Sequence, residues 1–212
     1  FTQFVIGLAR DTLVVALILT MLAGIVLGMG MPTTPAYIIM TALLVPALIK
    51  LGVVPVAAHL FVLYFACLSA ITPPVALAVY AAAGIGQAPL WRSGWEAVRV
   101  AAAGFIVPFM FVYGPGLLLI GDPGEIALAI PTAVTGCICL AAGLMGYLLK
   151  PATWWERALL LVAALMLIDP GLATDLIGLA AAGGAVLSQA LRKAPARAGS
   201  DAPDRKTPAA TR

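Results

Sequence analysis

Charged residues are scarce in this sequence. They make up 10% of its 212 positions, whereas hydrophobic residues make up 63%. An ordinary globular domain uses about a quarter charged residues, so this composition excludes a protein surrounded by water on all sides. Two long stretches, Val100 to Gly121 and Ile126 to Leu149, hold no charged residue. Because roughly 20 apolar residues cross the hydrocarbon core of a bilayer, we predict an all-α integral membrane protein.

Residues that bind metals or act in catalysis are also few. The cysteines, Cys67, Cys137 and Cys139, lie in apolar segments, and Cys137-x-Cys139 lacks the spacing of a zinc or redox pair. The single histidine, His59, has no second histidine at ligand spacing, and we interpret it as a hydrogen-bonded packing residue. We therefore expect no cofactor and no enzyme. A membrane-embedded enzyme is the alternative from another class, and it would need a nucleophile with its base or a set of metal ligands.

Basic residues gather at the C-terminus. We predict a disordered basic tail over residues 192–212, on the cytoplasmic side of the membrane, and no nucleic-acid partner. Its basic residues are Arg192, Lys193, Arg197, Arg205, Lys206 and Arg212. The chain begins with Phe1 rather than Met, so we expect it to be part of a longer protein.

Helices can be assigned backwards from this tail. With the C-terminus in the cytoplasm, the positive-inside rule places the loops holding Arg99, Lys150 and Arg157 on the same side. The predicted spans are Val98–Ile120, Ile126–Leu149, Trp154–Ile168 and Leu172–Leu191. We divide the chain into a first unit (1–120), additional C-terminal helices (121–191) and the tail (192–212).

The first ninety residues contain two interrupted apolar segments. The interruptions are Gly28 to Pro35 and Ile71 to Pro74, and the apolar halves beside them are 11 to 16 residues long. Such halves are too short to cross a bilayer as straight helices, and Pro cannot continue a helix. Backbone groups freed at membrane depth are tolerated only where protein or a water-filled cavity meets them. Two such breaks are typical of a transporter's central binding site, although simple Pro kinks are the alternative.

These breaks carry a family resemblance. The stretches Gly28-Met-Gly-Met-Pro-Thr-Thr-Pro-Ala-Tyr37, Ala57-Ala-His-Leu-Phe61 and Leu68-Ser-Ala-Ile-Thr-Pro-Pro-Val-Ala-Leu77 resemble the large membrane subunit of a TRAP (tripartite ATP-independent periplasmic) transporter. Ala103-Gly-Phe-Ile-Val-Pro-Phe-Met-Phe-Val-Tyr113 is similar to the same family. The region from about Ile126 to Leu191 looks like the extra C-terminal helices of the fused TAXI-type permease.

The resemblance implies a function and a topology. Members of this family are elevator-type secondary transporters of the bacterial inner membrane, driven by a sodium or proton gradient. A periplasmic solute-binding protein delivers the substrate, commonly a carboxylate. The resemblance assigns Thr12 to Ile49 to a re-entrant helical hairpin with its tip at Gly28 to Pro35. It assigns Pro55 to Ile85 to an interrupted transmembrane helix.

We hypothesise that the two breaks meet and form one cation site with part of the substrate pocket. Glycines would turn carbonyl groups inward, prolines would keep the breaks open, and Thr33, Ser69 and Thr72 would be Na⁺ ligands. The candidate residues are Gly28, Gly30, Pro32, Thr33, Thr34, Ser69, Thr72, Pro73 and Pro74. The hydroxyl groups could equally bond to their own helices.

The coupling ion is predicted from a further absence. No Asp or Glu lies between Thr12 and Gly94, whereas an intramembrane proton relay usually needs Asp, Glu or His. We therefore favour Na⁺, with His59 as the one candidate for proton coupling. A channel would want a symmetric filter, which two unlike breaks in series fit poorly, and a purely structural anchor would need neither break.

Overall fold

The structure, a computed structural model, describes residue 7, residues 12–168 and residues 171–191. These residues form nine α-helices and one 3₁₀ turn. The helices are α1 (Leu13–Gly28), α2 (Thr33–Lys50), α3 (Pro55–Leu68), α4 (Leu77–Ile85), α5 (Leu90–Val100), α6 (Ala102–Tyr113), α7 (Pro123–Met145), α8 (Trp154–Ile168) and α9 (Leu172–Leu191), with the 3₁₀ turn at Pro115–Leu118. The predicted tail, 192–212, lies outside the described residues.

The helices expose large apolar side chains. Val26, Ile38 and Leu165 are 64%, 63% and 58% exposed, which suits contact with lipid rather than water. Among the described residues, four helical stretches are long and apolar enough to cross a bilayer: Thr33–Lys50, Leu90–Tyr113, Ile126–Met145 and Thr174–Leu191. The predicted all-α membrane fold is confirmed.

A first core forms where the hairpin of α1 and α2 packs against α3. Leu17, Met40, Phe61 and Phe65 are buried there. From α6, Phe109 closes the core, with its ring centroid 5.2 Å from that of Phe61 in an edge-on arrangement. Such ring pairs contribute about 0.5–1.5 kcal/mol each. Since lipid tails are as apolar as leucine, close packing of this kind, rather than exclusion of water, holds membrane helices together.

The first break is shorter than predicted. It spans only residues 29–32, because Gly28 is the last residue of α1 and α2 already begins at Thr33. Thr33, Thr34 and Pro35 therefore lie in the first turn of a helix and not in the break. Pro is accepted in that turn, where its missing N–H would have no intrahelical partner. Pro35 was predicted to be part of the helix break, and that prediction was wrong.

The second break is longer than predicted. It spans residues 69–76 rather than 71–74, since α3 ends at Leu68 and α4 begins at Leu77. Ala76 immediately before α4 has a positive φ of 34°, which a helix cannot include. Across the break, the Ala78 N–H donates to the Ala70 carbonyl at 3.1 Å. This bond fixes the two half-helices relative to each other.

The predicted helix Val98–Ile120 was wrong at both ends. Helical structure begins at Leu90, is interrupted at Ala101 and ends at Tyr113. It stops there because Gly114 and Pro115 follow, and Pro115 opens the 3₁₀ turn instead. The helix begins early because the polar residues of α5 lie on one face of an amphipathic helix, which an apolar run does not reveal.

The last three helices form a second core, built from small residues. The predicted bounds of Trp154–Ile168 and Leu172–Leu191 are confirmed. The predicted span Ile126–Leu149 is shifted to α7, which begins with Pro123 after an Asp122 cap and ends at Met145, before Gly146 with its φ of 74°. Leu140, Leu160, Ala163 and Ala185 are buried between the three helices. Small residues let membrane helices approach closely.

One glycine of α9 shows how tight this packing is. A Cβ added at Gly178 would lie 2.7 Å from Leu167 Cγ, whereas at Gly183 nothing lies within 4 Å. We expect Gly178→Ala to lower the stability of the full-length protein in detergent by about 1–3 kcal/mol through overpacking. The matched change Gly183→Ala should be neutral or slightly stabilising, because Ala favours helix more than Gly does. Equal melting temperatures for the two variants would contradict the tight α8–α9 contact.

Candidate functional site

The two breaks lie side by side. A Cβ added at Gly28, the last residue before the first break, would lie 2.8 Å from the Cβ of Ser69, the first residue of the second break. One added at Gly30 would lie 3.9 Å from Val75 Cγ1. The hairpin tip therefore contacts the interruption between α3 and α4. Only glycine allows the approach at residue 28, and Gly30 has a φ of 77° that favours glycine.

The hydroxyl groups of the second break bond to their own helix. Ser69 is 1% exposed, and its Oγ donates to the Ala66 carbonyl at 2.7 Å. Thr72 Oγ1 donates to the Leu68 carbonyl, also at 2.7 Å. This is the alternative considered above for hydroxyls near helices. These bonds use the hydroxyl hydrogens of Ser69 and Thr72. The lone pairs of both oxygen atoms remain available to bind a cation.

The candidate threonines of the first break occupy a different environment. Thr33 is half-buried and Thr34 is exposed, both in the first turn of α2. Within the described chain, no hydrogen bond joins either hydroxyl to Ser69 or Thr72. Pro32, which precedes α2, is exposed. The structure thus brings Gly28 and Ser69 together and leaves the threonines of the hairpin tip at its surface.

Carbonyl groups, rather than side chains, are the most available oxygen atoms at this site. Among the described residues, no backbone N–H donates to the carbonyls of Met29, Gly30 or Met31. In the second break the same holds for Pro73 and Pro74. Such groups at membrane depth need protein, water or an ion as a partner.

Charged ligands are absent from this arrangement. The described residues contain no group of three or more His, Cys, Asp or Glu that could hold a metal ion. His59 lies elsewhere on α3, where its Nδ1 is 2.9 Å from the hydroxyl oxygen of Tyr37 on α2. That hydrogen bond agrees with the packing role expected for His59. A cation here would be held by neutral oxygen dipoles.

One neighbour of the site, Gly94, was not predicted from the sequence. Gly94 on α5 is buried against the second break, and a Cβ added there would lie 3.0 Å from Pro73 Cγ and 3.4 Å from Tyr80 Cε1. The available signal was a single glycine inside an amphipathic helix, where glycine costs about 1 kcal/mol of stability relative to alanine.

Comparison with known proteins gives two family matches. The family described as "Tripartite ATP-independent periplasmic transporter, DctM component" matches residues 1–122, and a domain of unknown function, DUF3394, matches residues 126–196. The isethionate TRAP transporter permease protein DctMQ of Oleidesulfovibrio alaskensis is 25% identical over 115 residues. That alignment covers 54% of this chain and 18% of the relative, so the chain spans less than a fifth of that protein. No solved structure matches.

The contact between the breaks predicts a compensating pair of substitutions. Gly28→Ala should destabilise the full-length protein by about 1–3 kcal/mol, because the new methyl group would overlap Ser69. Adding Ser69→Gly removes the obstructing side chain and should restore part of the lost melting temperature. Gly84→Ala is the control, since nothing lies within 4 Å of a Cβ at Gly84. Additive losses in the double variant would show that the two residues do not touch.

Proposed function

The chain belongs to the family of the DctM component of TRAP transporters, and on that premise we propose that it contributes half of a Na⁺-linked substrate site to a secondary active transporter. The match to DctM over residues 1–122 followed by DUF3394 is typical of the TAXI-type fused permease, so the family resemblance noted in the sequence is confirmed. The chain is a component of a TRAP transporter permease.

The observation that carries this proposal is the contact between two helix breaks in a segment without carboxylates. Carbonyl groups of Met29, Gly30 and Met31 accept no backbone hydrogen bond from the described residues, and the oxygens of Ser69 and Thr72 retain lone pairs. Hard cations prefer oxygen ligands. We assign Na⁺ to these neutral oxygens, with Thr33 as a further candidate ligand. The other candidate residues of the substrate site are Gly28, Gly30, Pro32, Thr34, Pro73 and Pro74.

The family resemblance implies a carboxylate as the substrate, and the proposed cation agrees with this. In a segment without acidic groups, a bound Na⁺ would attract an anion beside it. We therefore propose uptake of a small organic acid, delivered by a periplasmic solute-binding protein. The O. alaskensis relative is named for isethionate. The remainder of the site would come from other parts of the transporter.

The orientation in the membrane follows from the basic residues. Arg99 and Arg157 both donate to the carbonyl of Leu144 at the C-terminal end of α7, and Lys150 Nζ lies 3.5 Å from the Ala190 carbonyl near the end of α9. Three cations therefore share one end of the molecule. By the positive-inside rule, we place this end, and the C-terminus, in the cytoplasm of a bacterium, with the chain in its inner membrane.

The ion site is tested without knowing the substrate. In the full-length protein, with native cysteines replaced by Ser, single cysteines are placed at Thr33 or Thr72 and labelled with a small maleimide. We expect Na⁺ to change the labelling rate at both positions relative to K⁺ at equal ionic strength. A cysteine at Ala141 on α7 should label equally in both salts. Labelling indifferent to Na⁺ at both breaks would make them packed kinks and end the proposal.

Removal of one hydroxyl gives an independent test. Na⁺ binding to the folded state should raise its stability by about 1.4 kcal/mol at a concentration tenfold above Kd. We expect Thr72→Val, which keeps the shape but lacks the oxygen, to reduce this Na⁺-dependent rise in melting temperature. Thr135→Val is the control, because Thr135 also donates to its own helix, at the Pro131 carbonyl, but lies in α7. Equal Na⁺ responses in the two variants would exclude Thr72 as a ligand.

A further inference from the structure

The amphipathic helix α5 lies between the second break and the C-terminal helices. Gly94 is its buried residue, whereas Trp91 and Trp95 are 59% and 55% exposed. The helical ladder between α5 and α6 is interrupted at Ala101, where the Gly104 N–H bonds back three residues to the Ala101 carbonyl. Helices bend at such interruptions. Contacts outside this joint are therefore needed to fix the position of α5.

The first of these contacts is with the break itself. The helix backbone at Gly94 approaches Pro73 so closely that an added Cβ would lie 3.0 Å from the proline ring, and 3.6 Å from the Tyr80 hydroxyl oxygen on α4. Pro73 is a rigid member of the candidate ion site. Any displacement of α5 would therefore change the room available to Pro73.

The second contact is with the C-terminal helices. Arg99, five residues after Gly94, donates to the Leu144 carbonyl through both Nε (3.1 Å) and Nη2 (2.8 Å). This carbonyl is near the end of α7, where it has no partner within its own helix. A hydrogen bond from a charged donor is stronger than one between neutral groups, most of all when it is shielded from water. Arg99 is 44% exposed, so water weakens its bonds to the Leu144 carbonyl.

The acceptor of Arg99 is held firmly by other residues. Arg157 on α8 donates through Nε to the Gly143 carbonyl at 2.9 Å and through Nη2 to the same Leu144 carbonyl at 3.1 Å. The loop after α7 is fixed to α9, because the buried Gln189 side chain accepts from the N–H groups of Leu149 and Lys150 at 3.0 and 3.3 Å. The end of α7 is thus part of a rigid unit that also includes α8 and α9.

Two further hydrogen bonds, both to the carboxylate of Glu156 on α8, also hold this unit together. The carboxylate of Glu156, fully buried, accepts from the Thr153 N–H at 2.8 Å and from the Ser188 hydroxyl at 2.8 Å. It therefore caps the start of α8 and joins it to α9. Burial of a carboxylate is costly without such bonds, so the connection is specific rather than incidental.

We propose that the C-terminal helices, which the DUF3394 match covers, position the second break through α5, with Arg99 as the positioning residue. The series of contacts begins at the Leu144 carbonyl, which binds Arg99. It continues along about one and a half turns of helix to Gly94, which packs against Pro73. This gives residues 126–191 a role in the transporter. This inference rests on the proposed function in one respect, namely that the second break belongs to the ion site.

The test compares two arginines of the same helix. Arg92 lies seven residues before Arg99, on the same face of α5, and is exposed. In the cysteine-free full-length protein carrying a single cysteine at Thr72, maleimide labelling is measured for Arg99→Ala and for Arg92→Ala. We expect Arg99→Ala to change the labelling rate by about two- to thirtyfold, the range of couplings between sites joined by packed residues. Arg92→Ala should leave the rate unchanged.

Further variants separate positioning from loss of fold. Arg99→Lys keeps a positively charged donor and should restore part of the original rate, and a cysteine at Lys50, exposed at the polar end of α2, should label equally in all variants that fold. If Arg99→Ala fails to fold, two other single variants replace it: Arg99→Lys, and Gly94→Ala, whose new methyl group pushes directly on Pro73. Each of them must then change the labelling rate at residue 72 relative to the parent protein. The proposal is overturned if Arg99→Ala and Arg92→Ala label at the same rate. It is also overturned if Arg99→Lys and Gly94→Ala both label at the rate of the parent protein.

The outcome is distinguishable from failure of the ion site. All of these labelling rates are compared in K⁺ alone. If Na⁺ has no effect at residue 72 but Arg99→Ala does, the connection through α5 stands and the ion site falls. If Na⁺ has an effect and Arg99→Ala has none, the ion site stands and the C-terminal helices do not position it.

Discussion

The requirement that every backbone polar group find a partner within the bilayer governs this structure. Continuous helices meet it automatically, and α7 and α9 do so over most of their length. The hairpin tip and the interruption between α3 and α4 do not, since several of their carbonyls accept no hydrogen bond from the described residues. The protein places these two exceptions against each other, with glycine at the contact. The rest of the first core, including the phenylalanines of α3 and α6, packs so that this contact is maintained.

The helices and breaks that could be predicted were those marked by a clear pattern of residues in the sequence. Trp154–Ile168 and Leu172–Leu191 were predicted with correct bounds, because polar or Gly-Pro segments punctuate the apolar runs on both sides. The existence of both breaks was predicted as well, since paired prolines and glycines exclude a straight helix. Their edges were not, because a proline begins a helix as readily as it ends one. Pro35 lies in the first turn of α2, whereas Pro73 and Pro74 lie inside the second break, after α3 has ended at Leu68.

Contacts between distant parts of the chain could not be predicted from composition or spacing. Nothing in the order of residues indicates that Arg99 meets Leu144, 45 positions later, because the acceptor is a backbone carbonyl that every residue has. Gly94 was missed for a related reason: its role depends on Pro73, which reaches it only after the chain has turned through α4. The pairing of Gly28 with Ser69 was expected only as a general meeting of the breaks. The candidate ligands remain predictions, and the structure supplies their geometry.

The segment between Thr12 and Gly94 contains no Asp or Glu, and this affects how transport responds to the membrane potential. A carrier whose site contains fixed negative charges must move those charges through the membrane field when it returns empty, and each elementary charge costs about 2.3 kcal/mol per 100 mV. The half-site that we propose has no such charge to move. Under the proposed function, the membrane potential therefore acts here only on the ions and substrate that are bound. The voltage dependence of uptake would report the difference between the number of cations and the number of anionic charges carried in each cycle.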